Sequence, residues 1–438
     1  MAKDFKRREF LGIGSAALAA GLLVGCNTNK RTMQLAPFLD QAPDGPPLKA
    51  GLIGCGGRGR GAAQNFLDAG PNLQIAALGD VFQDRIDETN QTLKEKKGVE
   101  VPAEMCFVGF DAFEKVIDSG VDIIILATPP YFRPQHFEAA VMAKKNIFME
   151  KPVAVDPVGA RSIIASSKKA ESLGLTVGTG TQRRHQRNYV TTFRHVFEGA
   201  IGDTLSANCY WNQSQLWYRT QKSGWTEMEY MIRDWVNWAW LSGDHIVEQH
   251  VHNIDVVHWF LESYPIKAVG MGARQRRVTG NQYDFFDVDF TFPNDLHVHS
   301  MCRQINGCAN NVSEYVRGSE GYTNCADTIF NPDGTVKWKY SYPLDAEGKE
   351  TDSVKISPYV QEHIDLVTAI RTNKPYVEAE RTAVSTLSAI MGRISAYTGK
   401  EVTWEEMMNS NFTLGPSELK WGPVNIDKSV PVPGSADK

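Results

Sequence analysis

Apolar and polar positions along this chain repeat with two different periods. Lys49–Ile53 is a short apolar run that predicts a strand, and helical spacing follows from Ala62 to Ala69. Further apolar, β-rich runs lie at Leu73–Leu78, Val121–Ala127, Asn146–Met149 and Thr176–Gly178. Helical patterns at Phe137–Ala143 and Pro157–Leu173 separate the later ones. Strands alternating with helices predict a parallel α/β sheet. Beyond residue 180 the period shortens. Asp284–Phe292 and Leu296–Arg303 alternate polar and apolar side chains around Pro293-Asn294-Asp295, which reads as a hairpin turn. Gly318-Ser319-Glu320-Gly321 is a second turn, and helical patterns at Tyr359–Thr372 and Ala379–Thr398 close the sequence of elements.

The first 26 residues break both periods. Lys3, Lys6, Arg7 and Arg8 form a basic head, Gly12 to Gly25 is apolar and rich in small residues, and Leu23-Val24-Gly25-Cys26 ends the stretch. This order is that of an export signal, and the apolar part is too short for a span of ~20 residues. Arg7-Arg8-Glu9-Phe10-Leu11 resembles a twin-arginine signal, and the terminal cysteine resembles a lipobox. The expectation is a periplasmic protein exported by the twin-arginine route and held to the membrane by a lipid on Cys26. Residues 27–47 contain Pro37, Pro43, Pro46 and Pro47 and are expected to be a tether. Residues 48–180 and 181–411 form the two expected domains, and 412–438 a C-terminal tail.

Composition then narrows the class. The chain has 438 residues, is 42% hydrophobic and 22% charged, and carries a net charge of −5, which excludes a disordered chain and a general nucleic-acid binder. Residues 1–26 hold four basic and two acidic side chains, so their removal takes away +2 and leaves about −7. The six cysteines beyond Cys26 show no C-x-x-C pairing and are expected to be buried thiols.

Gly54-Cys55-Gly56-Gly57-Arg58-Gly59 sits between the first strand and the first helix. In that setting Gly54 allows the turn, Gly56 lets the backbone approach a pyrophosphate, and Gly59 lets helix pack on strand. Gly57 and Arg58 complete the loop. Asp80 ends the second apolar run, where a carboxylate accepts ribose hydroxyls and repels a 2′-phosphate, so NAD is expected over NADP. Thr128-Pro129-Pro130 and Glu150-Lys151-Pro152 end later strands, where ligands of such sheets bind.

Taken in order, G-C-G-G-R-G, A-T-P-P and E-K-P, with Glu248-Gln249-His250-Val251-His252-Asn253-Ile254-Asp255 and the tail Gly399-Lys400-Glu401-Val402-Thr403, resemble the glucose–fructose oxidoreductase / inositol dehydrogenase / MocA family. The resemblance implies a Rossmann domain followed by an α/β domain with a large, mostly antiparallel sheet, whose open face often makes a homo-oligomer. It places Thr128, Pro129, Pro130, His136, Glu150 and Lys151 beside the cofactor. Lys151 is the family position that stabilises the reacting oxygen, and His252 the one that takes the hydroxyl proton. Glu248, four residues before His252, is expected to orient the imidazole or meet substrate hydroxyls if both lie on one helix. His250 stands where the family has glycine. Arg183, His185, Trp235, His250 and Asp255 are the candidate substrate contacts, with Asp255 as readily structural.

His245, His250, His252 and His258 lie within fourteen residues, a density that would also suit a metal, though none is expected. Six tryptophans between Trp211 and Trp240, interleaved with Arg219, Arg233, Asp234 and Asn237, suit the apolar faces and hydroxyl rim of a sugar, or core packing. The implied activity is NAD(H)-dependent oxidation or reduction of a secondary hydroxyl of a sugar or glycoside. A redox-neutral glycoside hydrolase and a non-enzymatic sugar-binding lipoprotein are the alternatives.

Overall fold

A computed structural model describes residues 31–434; the export signal and Cys26 lie outside them. β1 (Leu48–Ile53), β2 (Leu73–Asp80), β3 (Cys106–Val108), β4 (Ile123–Leu126), β5 (Asn146–Met149) and β6 (Val177–Thr179) form a parallel sheet in the order β3-β2-β1-β4-β5-β6. β4 is Ile-Ile-Ile-Leu with every residue buried, as a strand covered by helices on both faces requires. The strand order reverses between β1 and β4, and the crevice at that point opens onto the glycine loop. The helix Pro157–Ser172 starts with Pro157 at its first position, and Asp156 caps it by accepting the Gly159 N–H at 2.8 Å.

The second sheet has nine strands, β7 (Thr204–Gln213), β8 (Lys267–Ala273), β9 (Phe285–Phe292), β10 (Leu296–Gln304), β11 (Asn311–Gly318), β12 (Gly321–Thr323), β13 (Thr328–Phe330), β14 (Val336–Lys339) and β15 (Val402–Thr403). Their order is β14-β13-β12-β11-β7-β10-β9-β8-β15. Only β7 and β10 pair in parallel, so the sheet is mixed with a strong antiparallel majority. One face packs on the helices Val251–Leu261 and Ala379–Thr398. The other presents Val269, Met271, Tyr315, His297 and His299 to solvent or half-exposed.

Three boundaries differ from the sequence expectation. The helix Pro358–Arg371 belongs to the first domain's core: Ile364, Leu366 and Val367 pack with Leu52, Phe66 and Phe148. An apolar helix face does not reveal which sheet it covers. The described part of the tether is docked along the body. Arg31 makes two 2.6 Å bonds to Glu262, Arg187 donates to the Leu39 carbonyl at 2.9 Å, and Arg371 donates to the Pro43 carbonyl at 2.6 Å. Prolines remove helix and strand signals there, but the Pro43 and Pro46 carbonyls still accept bonds from Arg371 of a distant helix. Residues 412–434 are docked as well, with Val424 buried beside Phe82, Phe132 and Trp240. The thiols also divide: Cys55, Cys209, Cys302 and Cys325 are buried, Cys106 is half-buried, and Cys308 is exposed.

Candidate active site

A cleft of about 510 Å³ opens at the carboxyl ends of β1, β2 and β4. Gly54, Gly56, Gly57, Arg58, Gly59, Asp80, Thr128, Pro129 and His136 all face it. Gly54 has φ +96°, and a side chain there would meet the Ala127 carbonyl carbon and the Thr128 nitrogen at 2.6 Å. A Cβ on Gly59 would stand 1.8 Å from the Gly54 oxygen, so loop and helix touch through bare backbone. Beside Gly56 and Gly57 the space is open, and the helix Gly57–Asp68 has no side-chain cap to occupy its first N–H groups. That cradle fits the phosphates of a dinucleotide. Asp80 is aimed by the backbone: its oxygens accept the Cys55 N–H at 2.7 Å and the Phe82 N–H at 3.0 Å. Burial raises its carboxyl above the usual range against the pull of these donors.

Around this loop Pro130 is buried, at the start of the turn Pro130–Phe132. His136 stacks on Phe113 with centroids 4.2 Å apart, and burial with the Arg133 charge lowers it to about 3, so it is neutral. Glu150 does not reach the cleft. It is buried in an ion pair with Arg58, whose Nε lies 2.5 Å from Oε1.

The second centre forms where β5 ends. The Lys151–Pro152 peptide is cis. Lys151 is buried, and its Nζ donates to the Glu248 carbonyl and, at 3.4 Å, to Glu248 Oε1. Burial lowers the ammonium's pKa, and Glu248 and Glu150 pull it back. Glu248 and His252 do not share a helix, as their spacing suggested. The helix His245–Glu248 ends, the chain turns at Gln249, and a new helix runs Val251–Leu261. Glu248 accordingly serves Lys151 and Gln249 rather than the imidazole. His252 lies against Trp211 of β7, centroids 5.6 Å apart and 22° between planes. Burial, then the charges of Lys151, Arg183 and Arg58, push its pKa well below the ordinary value.

Four expected substrate contacts are held by partners within the protein. His185 lies 2.7 Å from Asp365 and 3.4 Å from Glu378 in a buried ionic cluster. His250 is fully buried beneath the sheet, 2.8 Å from Ser300 Oγ. Asp255 takes Arg184 through bonds of 2.7 and 3.0 Å and Ser385 at 2.8 Å; burial raises its carboxyl, but Arg184 outweighs this and leaves it low. Arg183 pairs with buried Glu314 and donates to Asn253 at 2.9 Å. A buried charge needs such a partner, and the partners come from distant elements. The histidines also diverge: His245 sits 3.0 Å from Asp244 and His258 3.4 Å from Ser385, and among the described residues no group of three ligands is arranged for a metal.

Five of the six clustered tryptophans fall into three groups, and the sixth, Trp225, lies under Lys222 and Arg233. Trp211 backs His252, Trp238 and Trp240 are core, and Trp217 and Trp235 line the dinucleotide cleft with Arg219, Ile232 and Arg233. Phe82, Phe110, Phe113 and Phe132 complete its walls. Nothing along the chain marks these as site residues, because isolated phenylalanines ordinarily mark core.

The family model described as an oxidoreductase family with an NAD-binding Rossmann fold matches residues 48–179, and that of the GFO/IDH/MocA C-terminal domain matches 189–323. An uncharacterized oxidoreductase of Streptococcus pneumoniae is 25% identical over 75% of this chain and 81% of its own length. A 2,7-anhydro-N-acetylneuraminate hydratase of Escherichia coli is 24% identical over 56% of this chain; the match spans 59% of that relative. The crystal structure of scyllo-inositol dehydrogenase from Lactobacillus casei with bound NAD(H) and scyllo-inositol superposes with a TM-score of 0.61 at 18% identity, over 82% of this chain and 99% of that one. With a glycine loop and Asp80 fit for a dinucleotide and both domains matched, this chain belongs to the glucose–fructose oxidoreductase / inositol dehydrogenase / MocA family of NAD-binding oxidoreductases.

Proposed function

We propose that this enzyme oxidises or reduces a secondary hydroxyl of a sugar or glycoside, carbon-3 of a pyranose being the candidate position, and that it keeps its NAD(H) bound between turnovers. The observation that carries the reading is Lys151. An ammonium has three donors; the Glu248 carbonyl and carboxylate engage two, and the third is left for a substrate oxygen. Bound NAD supplies the hydride acceptor. Lys151 stabilises the oxygen on which negative charge develops. His252, held neutral by burial and by the cations around it, accepts the hydroxyl proton. Trp211 holds the imidazole plane from the sheet side.

The reading takes residues 1–26 as a twin-arginine signal and Cys26 as the site of a lipid anchor. Such proteins cross the membrane folded, so the cofactor travels inside and must be regenerated there. A homo-oligomer through the open face of the nine-stranded sheet belongs to the same reading.

A redox-neutral variant has support from the hydratase relative, whose named reaction adds water. Transient oxidation, loss of the aglycone, addition of water and reduction would then hydrolyse a glycoside without net redox change.

The test uses protein purified without added nucleotide and a panel of monosaccharides and glycosides, following bound-nicotinamide absorbance together with product mass. The expected outcome is an absorbance change and a product lighter by a hydride and a proton. Free aglycone without net absorbance change selects the hydrolytic variant. Bound cofactor that responds to no sugar or glycoside overturns both.

A further inference from the structure

After the helix Trp404–Asn409 the described residues 410–434 form no helix or strand, yet they run from the first domain to the second along the cofactor cleft. The Leu414 N–H donates to Asp156 Oδ2 at 2.9 Å, and Gly415 passes so close to Tyr131 that a Cβ would stand 2.4 Å from the ring. Trp421 covers Phe110 and Phe82, with centroids 4.8 and 5.7 Å apart. Both phenylalanines are cleft wall. The strap then crosses to the helix Glu227–Arg233 of the second domain. Gly422 accepts the Met228 N–H at 3.0 Å. Glu227 accepts the Val424 N–H at 2.7 Å and pairs with Lys428 at 2.6 Å.

The helix held in this way carries Ile232 and Arg233 into the cleft, and Trp217, Arg219 and Trp235 from its flanking loops face the same space. The arginines there are unequal. Arg60 and Arg85 pair with Glu88, and Arg233 pairs with Asp84 and Glu229. The Arg219 guanidinium has no carboxylate within ion-pair distance among the described residues; it lies over Trp217 at 5.3 Å. Burial, then Arg85 and Arg233, lower its pKa, as expected of a cation facing cations. An anion in the cleft relieves that repulsion, and the dinucleotide phosphates are the anions this cleft is shaped to take.

We propose that residues 412–434 are a latch: they brace the segment 214–238 over the cleft, so that Trp217, Arg219 and Trp235 of the second domain complete the cofactor site, with Arg219 toward the phosphates, and release of the dinucleotide requires the strap to lift. This deepens the reading of a retained cofactor and rests on it.

The test loads the protein with NADH and follows release, by nicotinamide fluorescence, after mixing with excess NAD+. Trp421→Ala and Glu227→Ala remove two anchors of the strap at separate places, the second losing both the Val424 bond and the Lys428 pair, and each is expected to speed release at least ~10-fold, with Trp421→Phe restoring most of the retention. Arg219→Ala is expected to weaken NADH binding ~10-fold or more with an unchanged thermal transition, the loss of a charge-assisted contact. Should Trp421→Ala fail to fold, Glu227→Ala still decides. Release within twofold of the parent in the folded strap variants overturns the latch, and unchanged affinity in Arg219→Ala removes Arg219 from it. The parent's own release rate is judged separately: exchange within seconds sinks the retained-cofactor reading, whereas the variant-to-parent ratio decides the latch.

Discussion

The two ends of the active region are built on opposite plans. At the glycine loop the working surface is backbone: bare N–H groups at a helix start, a left-handed Gly54, and a carboxylate aimed by two amides. At the end of β5 the working surface is side chains, drawn from β5, from two short helices and from β7, and buried together. The first end depends on the absence of atoms, the second on charges balanced inside protein. Damage should therefore look different at each, as lost affinity at one and lost turnover at the other.

Lys151→Met makes the largest break. It removes the only donor expected at the reacting oxygen and keeps the side chain's length. Turnover is expected to fall ~10³-fold or more, in the range of losing a positioned acid–base or oxyanion group. NADH binding, measured by fluorescence titration, is expected to change little, because the Gly54–Gly59 loop and Asp80 are untouched. Loss of NADH binding in step with turnover would show that the two ends are not separable.

Gly59→Ala is the reciprocal break and a smaller one. Its methyl would overlap the Gly54 oxygen at 1.8 Å, so the loop must move off the helix. Such overpacking costs about 1–3 kcal/mol, and the expected outcome is NADH affinity lowered ~10- to 100-fold, with kcat near the parent's once the site is saturated. A kcat that collapses at saturating NADH would mean that the loop also positions the chemistry.

The same contrast decides what was legible in the sequence. Gly54, Gly56, Gly59 and Asp80 are close in the chain, and each residue type answers a local backbone demand, so the spacing alone carries the dinucleotide site. Lys151 and His252 stand out in the sequence only through their resemblance to a family pattern. Nothing local distinguishes His252 from His250, yet one faces Trp211 beside Lys151 and the other is sealed against Ser300. Arg183 and His185 invite a substrate reading because polar residues near a domain junction do, and Asp255 because it ends the family-like block Glu248–Asp255. Their partners, Glu314, Glu378 and Arg184, lie between 71 and 193 positions away. The docked arm and strap were illegible for a related reason: proline-rich chain held by other segments' side chains has no period of its own.

The smallest expected effect is the absence of a feature, and it separates two histidines of opposite sign. His252 is shifted well below 6.5 by burial and by Lys151, Arg183 and Arg58, so the folded protein keeps it neutral as pH falls through 6.5. The kcat/KM profile is therefore expected to run without an inflection near 6.5. His185 goes the other way: burial alone would lower it, but Glu378 and Asp365 raise it to about 10. A raised folded pKa contributes stability that is complete below the unfolded value of 6.5 and is lost as pH climbs toward 10. A depressed one, as at His252, His136 and His258, costs stability as pH falls below 6.5, because the unfolded chain then binds the extra protons. Thermal unfolding is thus expected to peak near neutrality while turnover, read on the same samples, passes through that region smoothly. His185→Gln should flatten the alkaline limb of the stability curve and leave the shape of the kcat/KM profile alone. An inflection in kcat/KM near 6.5 would mean that His252 titrates there in the substrate-free enzyme, with the burial and the cations that depress it offset by water or by the bound cofactor.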